Sequence, residues 1–254
     1  MFDLTGRVAL ITGSSKGIGR SMAEGLAEQG ARVVISSRKE DVCRQTAAEI
    51  NERYGEGSAV AIACNVGYKE QLEELVANTR AQLGPIEILI CNAGINPFYG
   101  PSSEIPDSAF DKILSTNIKS NHWLCHMAAK DMVEKKTGSI MITSSTGAFS
   151  PSLVIGTYHM SKLADIGLMR NLALEYGPHG VRVNAICPGL IKTDFSRALW
   201  DNAEARKRAE TQTPLRRLGE ADDFKGIAVF LASDASAYIT GQALTVCGGQ
   251  HMWS

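Results

Sequence analysis

Val8-Ala9-Leu10-Ile11-Thr12-Gly13-Ser14-Ser15-Lys16-Gly17-Ile18-Gly19 is the stretch from which the rest of the chain can be read. A short apolar run passes through a turn with glycines spaced G-x-x-x-G-x-G and enters a helical pattern over residues 17–29. Apolar character on both sides of residues 8–11 predicts a strand covered on both faces, as in a parallel sheet between layers of helix. Glycines permit a tight turn and close approach of backbone to a pyrophosphate, which the N–H groups and dipole of the following helix stabilise. The spacing is not the G-x-G-x-x-G fingerprint. By itself the segment also reads as a glycine-rich turn that holds nothing.

Outward from this turn the alternation repeats. Strands are predicted over 8–12, 32–36, 59–64, 86–91, 139–143, 182–186 and 243–246, and helices over 17–29, 39–53, 69–83, 107–135, 157–176 and 222–232. Repeated β-α units with right-handed crossovers give an α/β fold, a single-domain Rossmann-type doubly wound parallel sheet of about seven strands with helices on both faces. Ligands of such sheets bind at the carboxyl ends of strands. Here Ser37-Arg38, Asn65-Val66, Asn92-Ala93-Gly94, Ser144-Ser145 and Pro188-Gly189 each fall just after a strand.

The 254 residues suit one large domain, with no Pro/Gly/Ser-rich linker. Lys and Arg number 26 against 27 Asp and Glu, a net charge of −1, so no electrostatic case exists for nucleic acid or an anionic membrane. Residues 1–7 lack a signal-peptide layout, and no apolar run approaches the roughly 18 residues of a membrane span. A soluble, cytoplasmic protein is expected. The six cysteines stand singly without C-x-x-C and are expected to be reduced and mostly buried. His122, Cys125 and His126 could face one way on a helix, but no further ligand cluster accompanies them, and no metal is expected.

Tyr158 and Lys162 lie four apart in a predicted helix, hence on one face. An adjacent ammonium favours the phenolate and lowers a tyrosine pKa from about 10, which makes Tyr158 a candidate acid and base. At the end of the second strand an acidic residue would bond the ribose 2′-hydroxyl of NAD, whereas Ser37 and Arg38 suit a 2′-phosphate. Lys16 adds a second cation, so NADP(H) is the favoured cofactor, with ordinary surface cations as the alternative reading.

Together these motifs resemble the short-chain dehydrogenase/reductase family along essentially the whole chain. T-G-x-x-x-G-x-G is Thr12–Gly19, N-A-G is Asn92-Ala93-Gly94, the helix asparagine is Asn117, Ser-x12-Tyr-x3-Lys is Ser145, Tyr158 and Lys162, and P-G-x-x-x-T runs from Pro188 to Thr193. The usual acid after the third strand is Asn65 here. Counting from Tyr158 selects Ser145 as the oxygen-holding serine, while alignment on Gly147 selects Ser144. Residues 96–100, 148–152, 189–193, 195–200 and 216–220 are similar to the NADP-dependent carbonyl reductase/retinol dehydrogenase group, which reduces aromatic ketones, α-dicarbonyls and retinoid aldehydes.

The resemblance implies a cofactor-binding half, about residues 1–135, and a catalytic and substrate-binding half, about 136–254, with a lid at about 193–215. It implies that hydride from NADPH reaches a carbonyl carbon while Tyr158 protonates the oxygen. Ser145 would hold that oxygen, Lys162 would bond the nicotinamide ribose and acidify Tyr158, and Asn117 would mark a helix irregularity that holds a water. Gly13, Ser15, Lys16, Gly17, Ile18, Gly19, Ser37, Arg38, Asn65, Val66, Asn92, Ala93, Gly94, Pro188, Gly189, Ile191 and Thr193 would line the cofactor, the last two fixing the carboxamide. Position suggests Pro97, Phe98, Phe149, Leu153, Phe195, Leu199 and Trp200 for a substrate pocket, hence an apolar or aromatic ketone or aldehyde. A homotetramer is implied, built on residues 221–232 and 242–249, with a tail through Trp253 reaching a neighbour. A 3-oxoacyl thioester reductase, which would want a basic docking patch such as Arg206-Lys207-Arg208, is the rival enzyme. Enoyl reduction is disfavoured by the three-residue interval between Tyr158 and Lys162. A non-catalytic NADP sensor would be expected to lose Ser145, Tyr158 or Lys162, and all are present.

Overall fold

The computed structural model describes residues 1–252, so Trp253 lies outside the described residues. Its strands are β1 (Val8–Thr12), β2 (Arg32–Ser36), β3 (Ala59–Ala61), β4 (Ile88–Cys91), β5 (Gly138–Thr143), β6 (Val181–Pro188) and β7 (Ala243–Val246). They form one seven-stranded sheet of order β3-β2-β1-β4-β5-β6-β7, parallel at every pairing. β1 has β2 on one side and β4 on the other, so the chain reverses its direction of travel across the sheet at the β1/β4 border. A crevice opens there at the carboxyl ends of the strands.

Side chains alternate across the sheet and feed two apolar layers. On one face α1 (Gly17–Glu28), α2 (Glu40–Tyr54) and α9 (Lys225–Ala232) bring Met22, Leu26, Ile50 and Leu231 against Ile11, Ile35 and Ile90. On the other, α3 (Lys69–Leu83), α5 (Ser120–Lys135) and α6 (Gly156–Tyr176) bring Leu75, Leu124, Ile166 and Met169 against Leu10, Leu89 and Ile140. Every residue of β1, β4 and β5 is buried. At about 25 cal/mol per Å² of apolar area, this double covering is the main stabilising contribution. All six cysteines are free thiols, five of them buried. Among the described residues no helix is long and apolar enough to cross a membrane.

Most predicted ends fall within two residues of the observed ones, and four regions differ more in kind or extent. The third strand stops at Ala61 because its regular ladder to β2 ends at Ile35, although Ile62 N–H and Cys64 N–H still reach Ile35 O and Ser37 O at 3.0 and 2.9 Å. The helix predicted over 107–135 is α4 (Asp107–Leu114), a π turn (Ser115–Lys119) and α5. The helix predicted from 222 begins as a 3-10 turn, Ala221–Phe224, with Glu220 and Asp223 in a reciprocal cap. The 193–215 segment, where no helix is predicted, contains α7 (Arg197–Trp200) and α8 (Ala203–Gln212), the latter capped by Asn202 Oδ1, which accepts from Glu204 and Ala205 N–H.

Candidate active site

The turn after β1 is held from β4. Thr12 Oγ1 accepts from Asn92 and Ala93 N–H at 3.0 and 3.1 Å, and Asn92 Nδ2 donates to Thr12 O and Gly13 O at 3.1 and 3.2 Å. Gly19 is forced by closeness, since a Cβ there would lie 2.4 Å from Gly13 O. Gly13, at φ +65°, adopts a conformation that suits glycine. α1 then starts with no capping side chain and no acid in its first turn, so its first N–H groups are open to an anion.

Around this cradle, Ser37 Oγ lies 3.1 Å from Cys43 Sγ and Arg38 is exposed. Asn65 Oδ1 accepts from Gly67 N–H at 3.2 Å beside buried Val66. Ser15 O accepts from Thr46 Oγ1 at 3.1 Å, and Ile18 packs on the apolar layer. Lys16 does not stand free beside Arg38: its Nζ pairs with Asp194 Oδ2 at 2.8 Å, tying the glycine turn to the 193–215 segment. Gly17 faces the same segment, for a Cβ on it would lie 3.4 Å from Thr193 Cγ2. After β6, Gly189 N–H donates to Val246 O at 3.0 Å and buried Ile191 bridges to Gly219. An open helix start, a glycine turn without room for side chains and an exposed guanidinium fit a dinucleotide phosphate.

The chemistry gathers beyond β4, β5 and β6. On α6, Lys162 is 3% exposed, with Nζ 5.7 Å from the Tyr158 ring centroid. That ammonium donates to Thr143 O at 2.9 Å and to Asp165 Oδ2 at 3.0 Å. Gly94 borders the cluster: a Cβ on it would sit in ordinary contact with Asn117 Oδ1 at 3.5 Å and Lys162 Nζ at 3.7 Å. Asn117 sits in the π turn, fully buried, and clasps Ile95 through Oδ1 (2.9 Å from N) and Nδ2 (3.1 Å from O).

The two candidate serines part company. Ser144 Oγ is buried and donates to Lys162 O at 2.7 Å, whereas Ser145 Oγ accepts from Gly147 N–H at 3.0 Å and stands on the side of the Tyr158 hydroxyl, whose ionised form it favours. Lys162 lowers the Tyr158 phenol in the expected direction, yet the phenol stands above its ordinary 10. Burial outweighs the lowering by Lys162, and Asp165 opposes that lowering. Burial also works against the charge on Lys162, but Asp165 and Tyr158 carry it above 10.5.

Of the aromatic substrate candidates, Phe195 packs beside the Tyr158 ring, with ring centroids 5.9 Å apart. Phe149 stacks at 4.7 Å on His251, Trp200 Nε1 donates to Ser196 Oγ at 3.1 Å, and Phe98 folds over Gly100. Pro97 and Leu199 are exposed, and Leu153, at 89% exposure, is not packed into the site. His159 turns aside to Ser150 O at 2.7 Å. His126 Nδ1 is bonded to the Tyr176 hydroxyl, and no group of three or more potential metal ligands occurs among the described residues. Sequence reading missed Asp165, Asn121, Asp194 and His251. An acid three residues after Lys162, on a face continued by Ile166 and Met169, was the available signal for the first.

Residues 13–251 match a family profile described as Enoyl-(Acyl carrier protein) reductase. Human "Dehydrogenase/reductase SDR family member 4" is 42% identical over 247 residues, 97% of this chain and 88% of that protein. The chain is a short-chain dehydrogenase/reductase. Another human relative, "Dehydrogenase/reductase SDR family member 2, mitochondrial", is 41% identical over 96% of this chain and 86% of its own length. The crystal structure of a gluconate 5-dehydrogenase from Burkholderia cenocepacia J2315, in complex with NADP and tartrate, superposes with a TM-score of 0.93 at 31% identity, covering 98% of this chain and 96% of that one. This short-chain dehydrogenase/reductase is therefore an oxidoreductase of a family that uses NAD(P).

Proposed function

We propose that this enzyme is an NADP(H)-dependent oxidoreductase that reversibly reduces an apolar or aromatic ketone or aldehyde to the alcohol, with Tyr158 as proton donor and acceptor. The convergence of the Tyr158 phenol, the Ser145 hydroxyl and the Lys162 ammonium beyond β4–β6, beside Phe195, carries this conclusion. When bound, NADPH supplies the hydride. The glycine turn and open α1 start would hold its pyrophosphate, Ser37 and Arg38 its 2′-phosphate, Asn65 and Val66 its adenine, and Ile191 and Thr193 its carboxamide. Ser145 orients the substrate oxygen and stabilises charge growing on it. Tyr158 then gives its proton to that oxygen, or takes one from an alcohol in the reverse direction. Lys162 holds positive charge against the phenolate so formed.

Residues 193–215 act as a lid, with Phe195 as the aromatic contact beside the Tyr158 ring and Lys16–Asp194 as the link to the cofactor turn. The partly exposed edge strand β7 and the helix before it suit the packing of a homotetramer, and a cytoplasmic location completes the reading. Exposed Arg206, Lys207 and Arg208 on α8 favour a second reading, a 3-oxoacyl thioester reductase that docks an acidic carrier.

The test combines Tyr158→Phe with a panel of aryl ketones, diketones, retinal and 3-oxoacyl thioesters, using NADPH and NADH in turn. Nearly all turnover is lost in the variant while NADPH still quenches protein fluorescence. Substantial residual turnover excludes Tyr158 as the proton donor. Faster reduction of the thioester than of any ketone selects the second reading.

A further inference from the structure

Asp165 is 0% exposed and lies one turn beyond Lys162 on the inward face of α6. Its Oδ2 accepts from Lys162 Nζ at 3.0 Å and its Oδ1 from Asn121 Nδ2 at 2.9 Å. The same Asn121 nitrogen donates to Asn117 O at 2.7 Å, so the carboxylate is anchored to the π turn of the neighbouring helical stretch. Ile166, Met169 and Leu172 continue this face into the apolar layer. An aliphatic side chain at 165 would satisfy packing, and a buried carboxylate is retained here only with partners for its charge. It takes one of the three ammonium hydrogens and Thr143 O takes another.

We propose, resting on the reading of Tyr158 as proton donor and acceptor, that Asp165 is a positioning residue: it fixes the Lys162 ammonium, offsets its charge, and so sets the pH at which the Tyr158–Lys162 pair gives up its first proton. With Asp165 ionised, the three groups sum to zero before that proton leaves. Without it they sum to +1, and departure is easier whichever of the two groups loses the proton. The other groups facing the cluster do not compete near neutrality. Cys187 on β6 is pushed up to about 11 by burial. Cys91 on β4 is held well above the usual thiol value by its hydrogen bond with Cys125 of α5 and by burial. The remaining neighbours of the phenol are Ser145, which lowers it, and Tyr99, before α4, which raises it. Asp165 pushes the phenol up and Lys162 pulls it down, in keeping with this balance.

Asp165→Asn keeps the shape and removes the charge. The first readout needs no cofactor: ultraviolet titration of tyrosinate in the apoprotein, with the Tyr158→Phe protein in the same background subtracted. The Tyr158 midpoint moves to lower pH in Asp165→Asn and stays with the parent in Asp165→Glu. The second readout is alcohol oxidation, where the ratio of turnover at pH 7 to the alkaline plateau rises roughly threefold or more in Asp165→Asn. Asp165→Leu, which fills the space without a polar group, gives the same direction and carries the test if the asparagine protein does not fold. An unchanged or alkaline-shifted midpoint in the uncharged variants overturns the proposal. Full turnover of Tyr158→Phe instead overturns the underlying reading, so the two failures are told apart.

Discussion

Adjacent serines 144 and 145 show how much one residue of register decides. Successive residues leaving β5 point to opposite sides, so Ser144 caps a carbonyl of α6 while Ser145 stands on the side of the phenol. Ser145→Ala is expected to lower kcat by roughly 10²-fold with little change in the unfolding midpoint, as loss of one oxyanion donor does elsewhere. Ser144→Ala removes the side-chain donor to the Lys162 carbonyl, which keeps its helical partner, and should cost about 1 kcal/mol of stability in urea titration, with kcat within about threefold. Equal kinetic effects of the two substitutions would contradict the division. The Tyr count in the sequence pointed to the same serine. The carboxylate that balances Lys162 was not legible, because Asn121 and Asp165 are 44 residues apart and meet only once α5 and α6 pack.

Among the elements, those with a strong local cause were legible: the β1–turn–α1 unit, the all-apolar strands, and α3 with its predicted ends intact. Elements governed by packing were not. The π turn at Ser115–Lys119 leaves no periodicity signature and is expected only through the family resemblance at Asn117, and the helices of 193–215 are mostly polar and bury little. The glycine turn makes its own prediction. Gly19→Ala introduces a Cβ 2.4 Å from Gly13 O and 2.5 Å from Asn92 Nδ2, neither of which can move without opening the clamp on Thr12. A cost of about 1–3 kcal/mol in urea unfolding is expected, together with at least tenfold weaker NADPH binding by fluorescence titration. Retained stability and affinity would mean that the turn is looser than its contacts imply.

At the level of the whole molecule, one source of acid sensitivity is a pair of carboxyls where α9 meets α1 and the 213–220 segment, in addition to the lowered Glu49 and Asp194. The Ser21 hydroxyl bonded to Asp222 and the Arg217 guanidinium bonded to Asp223 at 2.6 and 2.8 Å hold both carboxyls below their ordinary 3.8. Folded values below unfolded ones mean stability that is present above about pH 4 and lost as pH falls through the lowered values. The thermal midpoint should therefore fall as pH drops below 4, and Asp222→Asn with Asp223→Asn should lessen that fall; an unchanged slope would place the acid-labile groups elsewhere. The far border of the sheet has another consequence. β7 offers one row of main-chain donors and acceptors that no strand among the described residues covers, and such a row templates any partly melted chain that meets it. Unless a second copy shields that border, heating a concentrated sample should end in clotting rather than in a reversible melt, and diluting the sample before the ramp should restore refolding on cooling.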